Sequence, residues 1–209
     1  MKAADLPATA RDLRSERLRL ELPRVDHATA FLDSLNHSLP ALRFISWAQQ
    51  WRDPAWALEF CKHDAAVIAR GEAVVFHAFE VDGGHYVGRI DLHTFDFEAP
   101  RCEIGYVADM RRQGRGLMRE AALAVIDHGF AIGLARVHAL SDVRNLRALH
   151  FAATLGMQRE GVLRGFERDV AVAEQRRAVD HRHRRQQHEP AARRDHVHRR
   201  HRRRSHARH

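Results

Sequence analysis

A chain of 209 residues, 44% of them hydrophobic and 30% charged, is long enough to bury one sizeable core and suits a single domain with an appended tail. No apolar run approaches the roughly 18 residues of a membrane span, the first twenty residues lack a signal peptide's apolar segment, and Cys61 and Cys102 stand apart without disulfide or zinc spacing; a cytoplasmic protein without membrane partner or metal is expected. The formal charge of +8 is concentrated at one end: residues 171–209 hold 13 of the 35 Lys and Arg and 4 of the 27 Asp and Glu, leaving 22 basic against 23 acidic side chains in residues 1–170.

The first element in chain order is "ERLRLEL", whose Leu18, Leu20 and Leu22 alternate onto one face of a strand. "VDHATAFLDSLNHSL" spaces Ala30, Phe31 and Leu35 as a helix does. "DPAWALEFCKHDAAVIARG" predicts a second helix with Asp53 as N-cap, Pro54 at its first position and Gly71 after its end. From Ala73 to Ala108 three β-rich runs follow, the first two joined through Asp82, Gly83 and Gly84 as a hairpin. A helix from about Gly114 to Ile132 carries a broad apolar stripe. "ARVHALSD" is then a strand, "NLRALHFAATLG" a helix that Asn145 caps and Gly156 ends, and "MQREGVLRG" a last short strand. The order specifies an α+β fold: a mixed, mostly antiparallel central sheet flanked by helices.

Between the strand "CEIGYV" and the following helix lies "ADMRRQGRG". A helix N-terminus presents unpaired N–H groups and the positive end of the helix dipole, which favour a phosphate or pyrophosphate. Gly114 and Gly116 let the backbone approach phosphate oxygens, and Arg112 and Arg115 add charge-assisted contacts.

Arg111, Gly114 and Gly116 in this place resemble the Q/R-x-x-G-x-G/A pyrophosphate loop of the GNAT superfamily of acyl-CoA-dependent N-acetyltransferases. "SERLRL", "EIGYV" and "NLRALHFAATLGMQREGVLR" resemble the branch containing ribosomal-protein-alanine N-acetyltransferases of RimJ and RimL type, over roughly residues 14–166. The resemblance implies a GNAT fold, acetyl-CoA as co-substrate and no metal. It assigns cofactor contacts to Arg112, Gln113, Gly114, Arg115, Gly116 and Leu117, the backbone N–H of Val107 to the thioester carbonyl, and the Asn145 amide to the pantetheine arm. Glu103, on the fourth predicted strand, takes the position of the glutamate that removes the amine's proton, often through water. Trp47, Asp91 and His93 are assigned to the acceptor side; Asp91 and His93 alternate onto one strand face. Two residues depart from the pattern. Ala148 stands where the alanine-acetylating branch has a serine near the thiol, and Ala152 where other members have a tyrosine acid.

The chain is therefore expected to be an N-acetyltransferase whose acceptor is a protein N-terminal amine. The alternatives are a small-molecule amine acetyltransferase and a catalytically weak acyl-CoA-binding or RNA-associated protein; monomer and homodimer both stay open. The domain is expected to span residues 1–168. Residues 169–209 are expected to form a disordered Arg/His-rich tail, because from Arg176 onward no Leu, Ile, Met, Phe, Trp or Tyr occurs. Two readings of that tail stay open, an RNA-binding arm and the product of a frameshift near Arg168, and on either the family's final apolar strand is expected to be lacking.

Overall fold

The computed structural model describes residues 2–168 and 175–184. Its elements are α1 (Leu6–Thr9), β1 (Leu13–Arg14), β2 (Leu18–Glu21), α2 (Ala28–Ser38), α3 (Pro54–Ala69), β3 (Ala73–Glu80), β4 (Tyr86–Asp96), β5 (Arg101–Ala108), α4 (Leu117–Ala131), β6 (Arg136–Asp142), α5 (Leu146–Thr154), β7 (Gln158–Arg168) and β8 (Gln175–Arg184). The strands form one sheet in the order β1-β2-β3-β4-β5-β6-β8-β7, antiparallel throughout except for the parallel pair β5–β6. A parallel pair needs a crossover, and α4 supplies it.

The local signals act as the sequence implies. Leu18 and Leu20 are fully buried on β2. Asp53 caps α3 by accepting the N–H of Trp56 at 2.8 Å, and Asn145 caps α5 by accepting that of Ala148 at 3.2 Å. The helix expected from Gly114 begins later, at Leu117, because Gly116 has φ of +73° and a left-handed residue cannot belong to a right-handed helix. The pairing of Leu13–Arg14 with β2 and the short helix α1, anchored by fully buried Leu6, were not foreseen.

Two hydrophobic layers cover the sheet. On one face α4 and α5 pack Ala121, Val125, Ile126 and Ala152 against Ile90, Leu92, Cys102 and Ile104. On the other, α2 and α3 pack Phe31, Leu35, Ala57 and Cys61 against Phe79, Tyr86 and Val107. β3 runs between them and is buried along its whole length, as a central strand must be. Both cysteines are free and buried, and burial pushes the Cys61 thiol up to about 11.

The expectation that the final strand is lacking is corrected. β8 lies between β6 and β7, pairing along the whole of β6 from Arg136↔Arg184 to Asp142↔Ala178. Counting large apolar side chains missed it, because a strand inserted between two others is held by main-chain hydrogen bonds on both edges. The disorder expected of the tail concerns residues 169–174 and 185–209, which lie outside the described residues. No helix among the described residues is long and apolar enough to cross a membrane.

Candidate active site

The centre of the molecule is an opening in the sheet. β5 and β6 pair only over Arg101↔Arg136, Cys102↔Val137 and Glu103↔His138, although β5 continues to Ala108 and β6 to Asp142. Beyond Glu103 the strands part. Two cavities reach this gap from opposite faces. One, of about 500 Å³, lies between β5, the loop before α4, and α5, and is lined by Arg112, Gln113, Gly114, Gly116 and Leu117. The other, of about 610 Å³, opens on the α2–α3 face and is lined by Trp47, Phe60, Asp91, His93 and Glu103. Ile45, Tyr106, Val107, Asn145 and Ala148 line both and mark their junction.

In the loop before α4, Gly114 and Gly116 have φ of +75° and +73°, conformations that side-chain-bearing residues rarely adopt. No atom lies within 4 Å of where a Cβ on Gly114 would stand, so backbone conformation rather than crowding demands glycine there. Paired left-handed residues ahead of a helix N-terminus turn successive N–H groups toward one concave face, the arrangement that binds anions. These residues suit a pyrophosphate.

Of the two arginines expected at the phosphate, one is placed elsewhere. Arg115 turns away from the cavity to grip Glu80 with two bonds of 2.8 and 2.7 Å, and its carbonyl accepts from Arg17. Arg112 lines the cavity while its Nη1 lies 3.5 Å from the same Glu80 carboxylate. Arg111 is held by Asp109 and Asp33. Glu80, 35 residues away, had no mark in the sequence that joined it to this loop. The Arg115 contact lowers the Glu80 carboxyl against a smaller opposing effect of burial.

Main-chain direction in β5 follows from its neighbours. Pro100 O accepts from Ala135 and Arg136 on the β6 side, whereas Asp109 N–H donates to Val87 O on the β4 side at 2.9 Å. Groups on alternate residues of a strand point to alternate edges. The main-chain groups of Val107 therefore face β4, in keeping with its carbonyl lying 2.5 Å from where a Cβ on Gly88 would stand. Those of Tyr106 face the gap. The main-chain groups of Val107, the expected donor, thus turn away from the gap and those of Tyr106 toward it, while both residues line both cavities.

On the α2–α3 face the register sets Glu103 opposite His93 on one side and opposite His138 on the other. Residues directly opposite share a face. Nε2 of His93 lies 3.9 Å from Glu103 Oε1, and Nε2 of His138 3.9 Å from Oε2. His93 Nδ1 is 2.9 Å from Asp91 Oδ2. Asp91 also pairs with Arg89, which forms a two-bond pair with Asp64 at 2.6 and 2.8 Å. Burial pushes the Asp91 carboxyl up, but Arg89 and His93 outweigh it and hold it down at about 2. Burial likewise lowers His93, and the contact with Asp91 reverses that into a net rise.

Trp47 stacks on Phe60 with centroids 5.0 Å apart, and the Arg89 guanidinium lies over both rings. It is both a packing and a lining residue. The Oδ1 of Asn145 is committed to its cap, which leaves its NH2 group at the cavity junction as a donor. His138 and Asp64, and the pairing of Arg89 with Asp64 and Asp91, were missed by sequence reasoning. The pairing of His138 with Glu103 depends on sheet register, which no local pattern encodes, and Asp64 meets Arg89 across 25 residues. Among the described residues no group of three or more His, Cys, Asp or Glu side chains could hold a metal ion.

A family model described as "Acetyltransferase (GNAT) domain" matches residues 17–158. The chain belongs to the GNAT acetyltransferase family. An uncharacterised N-acetyltransferase of Bacillus licheniformis is 30% identical over 99 residues, 47% of this chain and 56% of that protein, and one of Bacillus subtilis is 31% identical over 86 residues, 41% and 49%. The chain thus spans about half the length of the curated relatives it matches. The fold is similar to that of RimL, a ribosomal L7/L12 α-N-protein acetyltransferase solved with coenzyme A: TM-score 0.75 at 18% identity, covering 83% of this chain and 98% of that one. It is also similar to the ribosomal-protein-S5-alanine acetyltransferase of Vibrio fischeri (TM-score 0.70, 18% identity, 86% and 100% covered). A third similar structure is the microcin C7 self-immunity acetyltransferase MccE with acetyl-CoA and AMP (TM-score 0.74, 16% identity, 81% and 93% covered).

Proposed function

We propose that this GNAT protein transfers an acetyl group from acetyl-CoA to a primary amine, and that the amine is a protein N-terminus. The observation that carries the reading is the meeting of a phosphate-suited cavity and a carboxylate-bearing cavity at the gap between β5 and β6. Acetyl-CoA supplies an activated thioester; the chain has to bind it, hold its carbonyl and deprotonate the amine. The loop from Arg112 to Leu117 grips the pyrophosphate through main-chain N–H groups, with Arg112 alone of the loop's arginines beside it. Arg115 acts from outside as a brace on Glu80. The Asn145 NH2 steadies the pantetheine arm, and the Tyr106 N–H holds the thioester oxygen. Glu103 removes the ammonium proton, and Asp91 and His93 with Trp47 wall the acceptor site.

The character of that wall supports a peptide over a polycation. A site for polyamines or aminoglycosides needs uncompensated acid, yet Asp64 and Asp91 are paired with Arg89 and His93, and Asp142 with Arg144. What remains beside the Glu103 carboxylate is an aromatic and hydrogen-bonding cleft. RimL and the Vibrio fischeri structure are described as acetylating ribosomal proteins, which agrees with the reading. The test is thiol release from acetyl-CoA against a panel of N-terminal peptides and small amines. Turnover with Ala- or Ser-initiated peptides at kcat/KM at least tenfold above any polyamine or aminoglycoside is expected, and the reverse preference overturns the acceptor assignment.

A further inference from the structure

Expulsion of the CoA sulfur leaves a thiolate that must gain a proton, and Ala148 and Ala152 stand at the two α5 positions where a hydroxyl is expected. The cavity junction contains another. Of the side chains lining both cavities, those of Ile45, Tyr106, Val107, Asn145 and Ala148, only that of Tyr106 carries an acidic proton. Tyr106 is an even-numbered residue of β5, on the same face as Cys102 and Ile104, and its ring packs 4.7 Å from that of Phe151 on α5. It stands beside the helix that lost both hydroxyls. No partner among the described residues hydrogen-bonds its hydroxyl. Nor is that oxygen among the sealed polar atoms left without a partner, so it faces space that a ligand can enter.

We infer that Tyr106 is the general acid of the reaction, donating its phenolic proton to the departing CoA sulfur in place of the side chains absent at Ala148 and Ala152. The inference rests on the acetyl-transfer reading above. As the C–S bond of the tetrahedral adduct breaks, its electron pair leaves on sulfur and the C=O bond re-forms. The phenol O–H proton passes to sulfur, giving a thiol and a phenolate. The proton shed by nitrogen as it becomes an amide returns to the phenolate through water, so no co-reactant is needed. Burial raises the phenol above its ordinary value, so it enters the step protonated but as a weaker acid than a solvent-exposed phenol, and the proton moves only as the C–S bond breaks. One residue thereby serves twice: its N–H faces the thioester oxygen from the gap, and its side chain reaches the sulfur from the α5 face.

Two measurements on the full chain decide the matter, with Tyr106→Phe as the variant, since the hydroxyl has no internal partner whose loss would unfold the protein. The first is the thiolate absorbance of bound coenzyme A titrated against pH. A phenol that donates to sulfur stabilises the thiolate, so its removal raises the thiol's ionisation by about one pH unit while CoA affinity changes less than about threefold. The second is kcat, expected to fall by about 10²-fold with KM for acetyl-CoA unchanged. Identical thiol titrations in the two proteins overturn the inference, as does a variant kcat within twofold of the parent. If the parent acetylates no amine, the function reading fails, and the thiol titration alone still decides whether Tyr106 contacts the sulfur.

Discussion

His93 Nδ1 lies 2.9 Å from Asp91 Oδ2, while the other ring nitrogen points to Glu103 at 3.9 Å. The imidazole therefore sits between two carboxylates, with the Arg89 guanidinium beyond Asp91. Burial opposes the charged ring, the Asp91 contact favours it, and the second effect wins. A group raised in the folded state stabilises the fold below its unfolded value, about 6.5 for histidine, and that contribution is lost as pH rises through the folded value. Asp91 behaves oppositely: its contribution is complete above the unfolded carboxylate value of about 3.9 and is lost as pH falls toward about 2. In Asp91→Asn the main raising influences disappear while burial and Arg89 remain, so His93 is expected to titrate below an ordinary histidine. Imidazole NMR titration of parent and variant checks this, and an unchanged His93 midpoint refutes the pairing.

Glu103 stands where three strands place a carboxylate between two imidazoles at the mouth of the gap. Glu103→Gln keeps the shape and removes the base. The rate is expected to fall about 10²-fold near neutral pH and to recover partly at high pH, where the amine deprotonates unaided. A loss of the same size at every pH assigns Glu103 to positioning instead.

The loop before α4 gives a binding prediction. Valine at Gly114 or Gly116 forces a β-branched side chain into a left-handed conformation, which re-aims the N–H groups of the anion site. Affinity for CoA should drop at least tenfold, or about 1.4 kcal/mol. Calorimetry on folded variants with undiminished CoA affinity would falsify the phosphate-loop assignment.

Arg115 and Glu80 yield a contrasting result. Because Arg115 is half exposed, its pair with Glu80 contributes about 0.5–1 kcal/mol at most. Arg115→Ala is expected to lower stability by about that much, with Arg112 remaining beside the Glu80 carboxylate, while CoA affinity shifts less than about threefold. Arg112→Ala should instead weaken CoA by tenfold or more. An Arg115→Ala loss as large as that of Arg112→Ala restores Arg115 to the phosphate site.

What the sequence disclosed was what is decided within a few residues. Leu18 and Leu20 alternate because a strand does, Asp53 caps its helix three residues away, and Gly114 and Gly116 supply left-handed backbone that other residues rarely adopt. Trp47, Asp91 and His93, expected together, do line one cavity, because two of them share a strand face and the third stacks on Phe60 beside Arg89. What stayed hidden depends on partners distant in the chain. Arg115 was assigned to phosphate because Glu80 could not be seen beside it. Val107 was assigned from the resemblance alone, and the edge direction of β5 that turns its main chain toward β4 is set by Pro100 and Asp109 reaching opposite neighbours. β8 escaped because its pairing draws on main-chain groups, which every residue but proline offers in full.

That last element sets the final prediction. β8 alone joins β7 to the remainder of the sheet, since β7 pairs only with β8 and β8 alone contacts β6 on that side. Truncation after Arg168 removes β8, strips β6 of a partner along its whole length and leaves β7 unpaired. Two unsatisfied strand edges then face solvent, a known route to aggregation. Truncation after Arg184 leaves every described pairing intact while removing much of the chain's basic excess. The shorter truncation product should be insoluble or unfold at least about 10 °C lower, as a large loss of sheet pairing in a domain of this size implies, whereas the product ending at Arg184 should unfold within a few degrees of the parent. If the arginines beyond Arg184 bind RNA, that same product loses a salt-sensitive RNA affinity with its acetyltransferase rate unchanged. Circular-dichroism melting and filter binding at two salt concentrations read both outcomes. A soluble product ending at Arg168 with the parent's melting temperature would show that β8 is dispensable, and would return the chain to a domain that ends at β7.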